Sequence, residues 1–208
     1  MRTRIKICGI TRSEDGEAAV RFGADALGFL FWEPSPRYIA PARARTIVHA
    51  AGPFVATVGV FVNPSRDAVA QAIAESGISM LQFHGEETAE FCASFERPYI
   101  RAFKVGQQAD LLKSAESFGT AAGWLFDAFD AKQVGGTGAT FDWNLIPGKL
   151  ARPLVLSGGL DADNIGAAIG RVRPFAVDVS SGVETGAKGV KDAAKIAAFI
   201  QGVRNAQQ

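Results

Sequence analysis

The stretch Phe175-Ala176-Val177-Asp178-Val179-Ser180-Ser181-Gly182 is a short, mostly apolar run that ends in hydroxyls and a glycine. Seven earlier runs repeat the pattern, at 5–8, 26–30, 55–62, 78–83, 99–103, 124–127 and 154–157. At or just past their C-terminal ends stand Cys8, Arg37, Asn63, His84, Asp127 and Ser157-Gly158-Gly159. Short strands separated by longer amphipathic stretches are the mark of βαβ units and a parallel sheet. Eight such units, with reactive residues gathered at the strand ends, predict an α/β protein. The expectation is a single (β/α)8 TIM barrel over residues 1–208, with its active site at the C-terminal mouth.

Bulk properties fit that reading. The chain has 208 residues, and a barrel of this type closes with about 200. A net charge of +1 gives no electrostatic case for nucleic acid or a bare anionic membrane. Local positive potential remains available for a small anionic ligand. The N-terminus enters a strand at once, with no signal-peptide core, and no apolar run is long enough to span a bilayer. Two cysteines, Cys8 and Cys92, build no disulfide framework, so a reducing, cytoplasmic location is expected.

Helices are predicted at 13–22, 41–51, 65–76, 87–95, 108–118, 142–149, 161–170 and 190–203. Thr11-Arg12-Ser13-Glu14 reads as a capping box for the first. Asn63-Pro64-Ser65 suits entry to the third. The segment 128–139, with Gly135-Gly136-Thr137-Gly138, reads either as plain turns or as a lid over the site. Cys92, in an amphipathic segment, reads as a buried structural thiol.

Strand parity adds detail. If Cys8 points into the barrel, so does Lys6, and Ile5 and Ile7 pack outward against helices. Gln82 shares a face with His84, Leu125 with Asp127, and Ala176 with Asp178. A lysine inside a barrel needs a carboxylate, because an unpaired buried ammonium is strongly penalised. Asp178 is the first candidate and Asp127 the second.

The chemistry divides by residue. Cys8 is either an inert apolar residue or a nucleophile or base. Gly9 would let a ligand approach, and a thiol with an ordinary pKa of about 8.5 needs only modest help to ionise. Asp127 lies too far from the next helix to cap it, and a carboxyl with few water neighbours suits proton donation. Ser157-Gly158-Gly159 and Ser180-Ser181-Gly182 follow the seventh and eighth runs, where barrels of this type hold phosphate on backbone N–H groups. Arg37, held after Pro36, can clamp a carboxylate with two parallel hydrogen bonds. His84 reads equally as a ligand contact or a structural hydrogen bond. No metal site is expected, since no close His/Cys cluster exists.

Taken together, Lys6-Ile7-Cys8-Gly9-Ile10-Thr11, Ser35-Pro36-Arg37-Tyr38, Val58-Gly59-Val60-Phe61, Leu81-Gln82-Phe83-His84-Gly85 and Asp178-Val179-Ser180-Ser181-Gly182-Val183-Glu184 resemble the landmarks of phosphoribosylanthranilate isomerases. So do Gly135-Gly136-Thr137-Gly138 with Phe141-Asp142-Trp143, and Leu156-Ser157-Gly158-Gly159-Leu160. Departures are Phe83, where an aliphatic residue is common, and the helix entry Leu160-Asp161-Ala162-Asp163-Asn164. The resemblance implies a cofactor-free Amadori rearrangement of N-(5-phosphoribosyl)anthranilate in tryptophan biosynthesis, by a monomer or homodimer. It implies Cys8 as general base and Asp127 as general acid. The implied substrate-binding set is Arg37, His84, Asp178, Gly158, Gly159, Ser180, Ser181 and Gly182. Two rivals stand beside it. One is the related histidine-pathway isomerase, in which a carboxylate takes the place of Cys8. The other is a non-catalytic phosphometabolite-binding barrel.

Overall fold

The structure, a computed structural model, describes residues 2–105, 111–128 and 142–207. Eight parallel strands close a barrel in sequence order. They are β1 (Arg4–Cys8), β2 (Ala26–Leu30), β3 (Ala56–Phe61), β4 (Met80–Phe83), β5 (Tyr99–Val105), β6 (Gly123–Ala128), β7 (Leu154–Leu156) and β8 (Ala176–Val179). The ring closes where β1 pairs with β8, Lys6 opposite Asp178. Around it lie α1 (Ser13–Phe22), α2 (Pro41–Ala50), α3 (Arg66–Ser76), α4 (Ala89–Ala93), α5 (Leu111–Glu116), α6 (Ile165–Val172) and α7 (Ala193–Asn205). No helix among the described residues is long and apolar enough to cross a membrane.

Alternation along each strand sorts the side chains into two cores. Ile5, Ile7, Leu27, Phe29, Leu81 and Phe126 face outward and are buried under the helices. Ile100, Ala102, Leu125, Val155 and Ala176, with Met80 against them, form a separate inner cluster. That apolar plug fills part of the barrel interior, and the polar inward residues lie beyond it towards the mouth. Phe83 explains its own departure from an aliphatic residue. It faces outward and packs against Phe61, Phe91, Phe95 and Tyr99 at centroid distances of 5.8–6.1 Å.

Three local expectations need correction. The segment 142–149 is not a helix but a single 3-10 turn, Trp143–Leu145. Pro147-Gly148 ends it, since neither residue sustains a helix. Asp142 accepts from Asn144 N at 2.9 Å and closes the turn. The capping box at 11–14 is absent: α1 begins after Arg12 with no side-chain cap. Thr11 Oγ1 donates instead to Gly189 O at 2.5 Å, tying the β1 loop to the one after β8. The helix expected at 87–95 shrinks to five residues, Ala89–Ala93, capped by Thr88. The third helix does start as read, with Ser65 accepting from Ala68 N at 3.1 Å. The lid expectation for 128–139 and the motif Gly135–Gly138 lie outside the described residues.

Candidate active site

Cys8, at the end of β1, and Asp127, near the end of β6, line one pocket at the barrel mouth. Arg37, His84 and Asp178 line it too, as do Gly158, Gly159, Ser180 and Ser181. Gly182 does not. A Cβ there would sit 2.0 Å from Leu160 O, so this glycine lets the two phosphate-type loops pack together. Gly158 and Gly159 both have positive φ, 94° and 63°, which turns the chain sharply after β7.

Lys6 and Asp178 meet inside the barrel, Nζ to Oδ1 at 2.9 Å, both side chains nearly fully buried. Burial works against the ammonium, but Asp178 and the Cys8 sulfur outweigh it and raise the Lys6 pKa to about 12. Asp178 Oδ2 has no hydrogen-bond partner among the described residues, and Asp178 lines the pocket. Parity points both residues inward, and the β1–β8 register sets Lys6 opposite Asp178 rather than Asp127.

Opposing influences act on Cys8. Burial pushes its thiol above the ordinary value, with Asp178 adding to the rise, and Lys6 and Lys191 only partly oppose it. Ionisation of the thiol is thus favoured by the two lysines and resisted by burial and Asp178. At Gly9 a Cβ would meet Arg37 Cδ at 2.8 Å and Ser180 Oγ at 3.1 Å. The absence of a side chain at Gly9 makes room for Arg37.

Arg37 is buried, not solvated. Its Nε and Nη2 donate to Glu184 Oε1 and Oε2 at 2.7 and 2.8 Å, a two-pronged ion pair. Nη1 has no hydrogen-bond partner among the described residues. Glu184 also accepts from Gly189 N at 2.9 Å and Lys191 Nζ at 3.0 Å. Burial alone would raise the Glu184 pKa, but Arg37 and Lys191 override it and bring it down to about 2. Lys191, fully buried, reaches on to Ser180 O and Oγ at 3.0 and 3.2 Å. Its own pKa is lowered by that burial, against the pull of Glu184. Cation, carboxylate and cation thus link the Arg37 loop to the loop after β8.

His84 follows β4, and its Nε2 lies 3.3 Å from Asp127 Oδ2. The loop that carries it is fixed from below. Glu87 accepts from Asn63 N and Gly85 N, at 2.8 and 2.9 Å, and is paired with buried Arg101 at 2.7 Å. Asn63 is a turn residue, its Oδ1 accepting from Glu86 N at 2.6 Å. Lys191, Glu87, Arg101 and the clamping role of Glu184 were not read from the sequence. Glu87, Glu184 and Lys191 are charges in segments that follow strands, and Arg101 is a charge inside the apolar run of β5, which is the signal the sequence carries for them. Cys92 is fully buried, and its thiol is raised to about 12 by burial, as befits a packing residue.

A family model described as N-(5'phosphoribosyl)anthranilate (PRA) isomerase matches residues 5–202. The N-(5'-phosphoribosyl)anthranilate isomerase of Nitrosospira multiformis is 54% identical over 203 residues, covering 98% of this chain and 97% of that protein. The crystal structure of phosphoribosyl anthranilate isomerase from Thermotoga maritima aligns with a TM-score of 0.90 and 42% identity, over 98% of this chain and 99% of that one. Another solved isomerase, in complex with reduced 1-(o-carboxyphenylamino)-1-deoxyribulose 5-phosphate, aligns with a TM-score of 0.83 and 38% identity, over 98% and 99% of the two chains.

Proposed function

Because the chain belongs to the N-(5'-phosphoribosyl)anthranilate isomerase family, we propose that its chemistry is carried by Cys8 as general base and Asp127 as general acid. The reaction converts N-(5'-phosphoribosyl)anthranilate into 1-(o-carboxyphenylamino)-1-deoxyribulose 5-phosphate, a step of tryptophan biosynthesis. The observation that carries the assignment is a thiol from β1 and a carboxyl from β6 lining the same pocket.

Asp127 protonates the ribose ring oxygen, and the C1–O bond breaks to leave an iminium between C1 and the anthranilate nitrogen. That cation acidifies the C2 hydrogen. It also favours ionisation of the buried Cys8 thiol, which burial otherwise resists. As the thiolate, its own proton released to solvent, Cys8 takes the C2 proton. The C2–H electron pair forms the C1–C2 double bond while the iminium pair returns to nitrogen. The enolamine then gains a proton at C1 and loses its C2 hydroxyl proton to give the ketone. Both protons move through side chains, so the reading needs no cofactor. Each transfer typically contributes about 10²–10⁴-fold.

Binding follows from charge. Arg37 Nη1, left over from the Glu184 clamp, takes the anthranilate carboxylate. The backbone of Gly158, Gly159, Ser180 and Ser181, with Lys191 beneath Ser180, takes the phosphate. Asp178 Oδ2 and His84 meet the sugar between these ends, while Gly182 acts through loop packing. Holding both ends orients the middle, worth roughly 7–11 kcal/mol of barrier in well-oriented systems. The whole chain, 1–208, acts as one catalytic barrel, and its free cysteines fit a reducing cytoplasm. The test is the pH dependence of kcat: a limb due to thiolate formation should appear in the parent protein and vanish in Cys8→Ala.

A further inference from the structure

Gln82 on β4 points into the barrel on the same face as His84, and only 1% of it is exposed. Its Oε1 is buried without a hydrogen-bond partner, and no described residue bonds its Nε2 either. The strands on either side offer nothing polar at its level, since its register partners are Val60 on β3 and Ile100 on β5. Buried polar groups are nearly always paired, and an unpaired one in a native interior calls for a reason. Packing is not that reason. A leucine or methionine would fill the same space without an orphaned amide. The side chain lines the pocket shared by Cys8 and Asp127.

Resting on the isomerase reading above, we propose that Gln82 is a substrate-positioning residue whose amide pairs with a hydroxyl of the sugar. The charge pattern selects this partner. Carboxylate and phosphate are matched to cations and loop N–H groups at the rim, whereas a neutral amide on a strand suits a neutral group. A hydroxyl can accept from Nε2 or donate to Oε1, so it satisfies the amide in either role.

The experiment compares the parent protein with Gln82→Met and Gln82→Leu. Three quantities are read: affinity for reduced 1-(o-carboxyphenylamino)-1-deoxyribulose 5-phosphate, affinity for inorganic phosphate, and Tm. Steady-state kcat and KM on N-(5'-phosphoribosyl)anthranilate accompany them. Expected are an unchanged or higher Tm, unchanged phosphate binding, and about tenfold loss in both analogue affinity and kcat/KM. Unchanged analogue affinity and kcat/KM would overturn the proposal. So would a lowered Tm with analogue and phosphate binding weakened together, or failure of both variants to fold, since each marks a packing role. If the parent protein itself does not turn over the substrate, the isomerase reading fails rather than the role of Gln82.

Discussion

Arg37 and Glu184, 147 residues apart, share two parallel hydrogen bonds of 2.7 and 2.8 Å inside the barrel mouth. The pairing fixes the plane of the guanidinium and leaves a single nitrogen for a ligand. Glu184→Gln removes the charge that holds it and leaves Arg37 and Lys191 short of a counter-ion. Breaking such a buried pair typically costs about 3–5 kcal/mol. Thermal unfolding should show a lowered Tm, and steady-state kinetics a KM raised about tenfold or more with a smaller change in kcat.

Glu184 also sets a pH dependence. Its carboxyl is brought down from an ordinary 4.5 to about 2 in the folded protein. The resulting stability is therefore complete above the ordinary value and is lost as pH falls towards about 2. The difference is on the order of 3 kcal/mol. Urea unfolding measured from pH 6 to 2.5 should show this decline, and Glu184→Gln should lack its share of it.

The 3.3 Å approach of His84 Nε2 to Asp127 Oδ2 couples the histidine to the proposed acid. His84→Ala should lower kcat about tenfold or more while KM moves only a few-fold. A large KM effect with normal kcat would mark His84 as a binding contact alone.

Burial raises the Cys8 thiol in the unliganded protein. The limb of kcat/KM that reports the free protein should accordingly lie above an ordinary thiol, about 8.5. Rates measured from pH 6 to 10 check this, and a limb below that value would contradict the electrostatics described.

Strands were legible because apolar runs and reactive strand ends repeat along the chain, and parity carried the reading as far as the Lys6–Asp178 contact. Parity works there because both residues sit on regular strands at the closing seam. It says nothing about loops. Glu184 and Lys191 meet through a turn after β8, and their partners come from distant segments, so no local pattern announces them. Thr11 failed as a cap for a related reason: a carbonyl at Gly189, far along the chain, competes for its hydroxyl. The segment 142–149 differs because Asp142, Trp143 and Asn144 are indifferent helix formers and Pro147-Gly148 stops a helix outright.

The most direct measurement follows the loss of anthranilate fluorescence as N-(5'-phosphoribosyl)anthranilate is turned over by the parent protein, Cys8→Ala and Asp127→Asn. Each variant should lose about 10²–10⁴-fold in kcat while still binding the reduced product analogue. A Cys8→Ala protein with near-parental kcat would contradict the account.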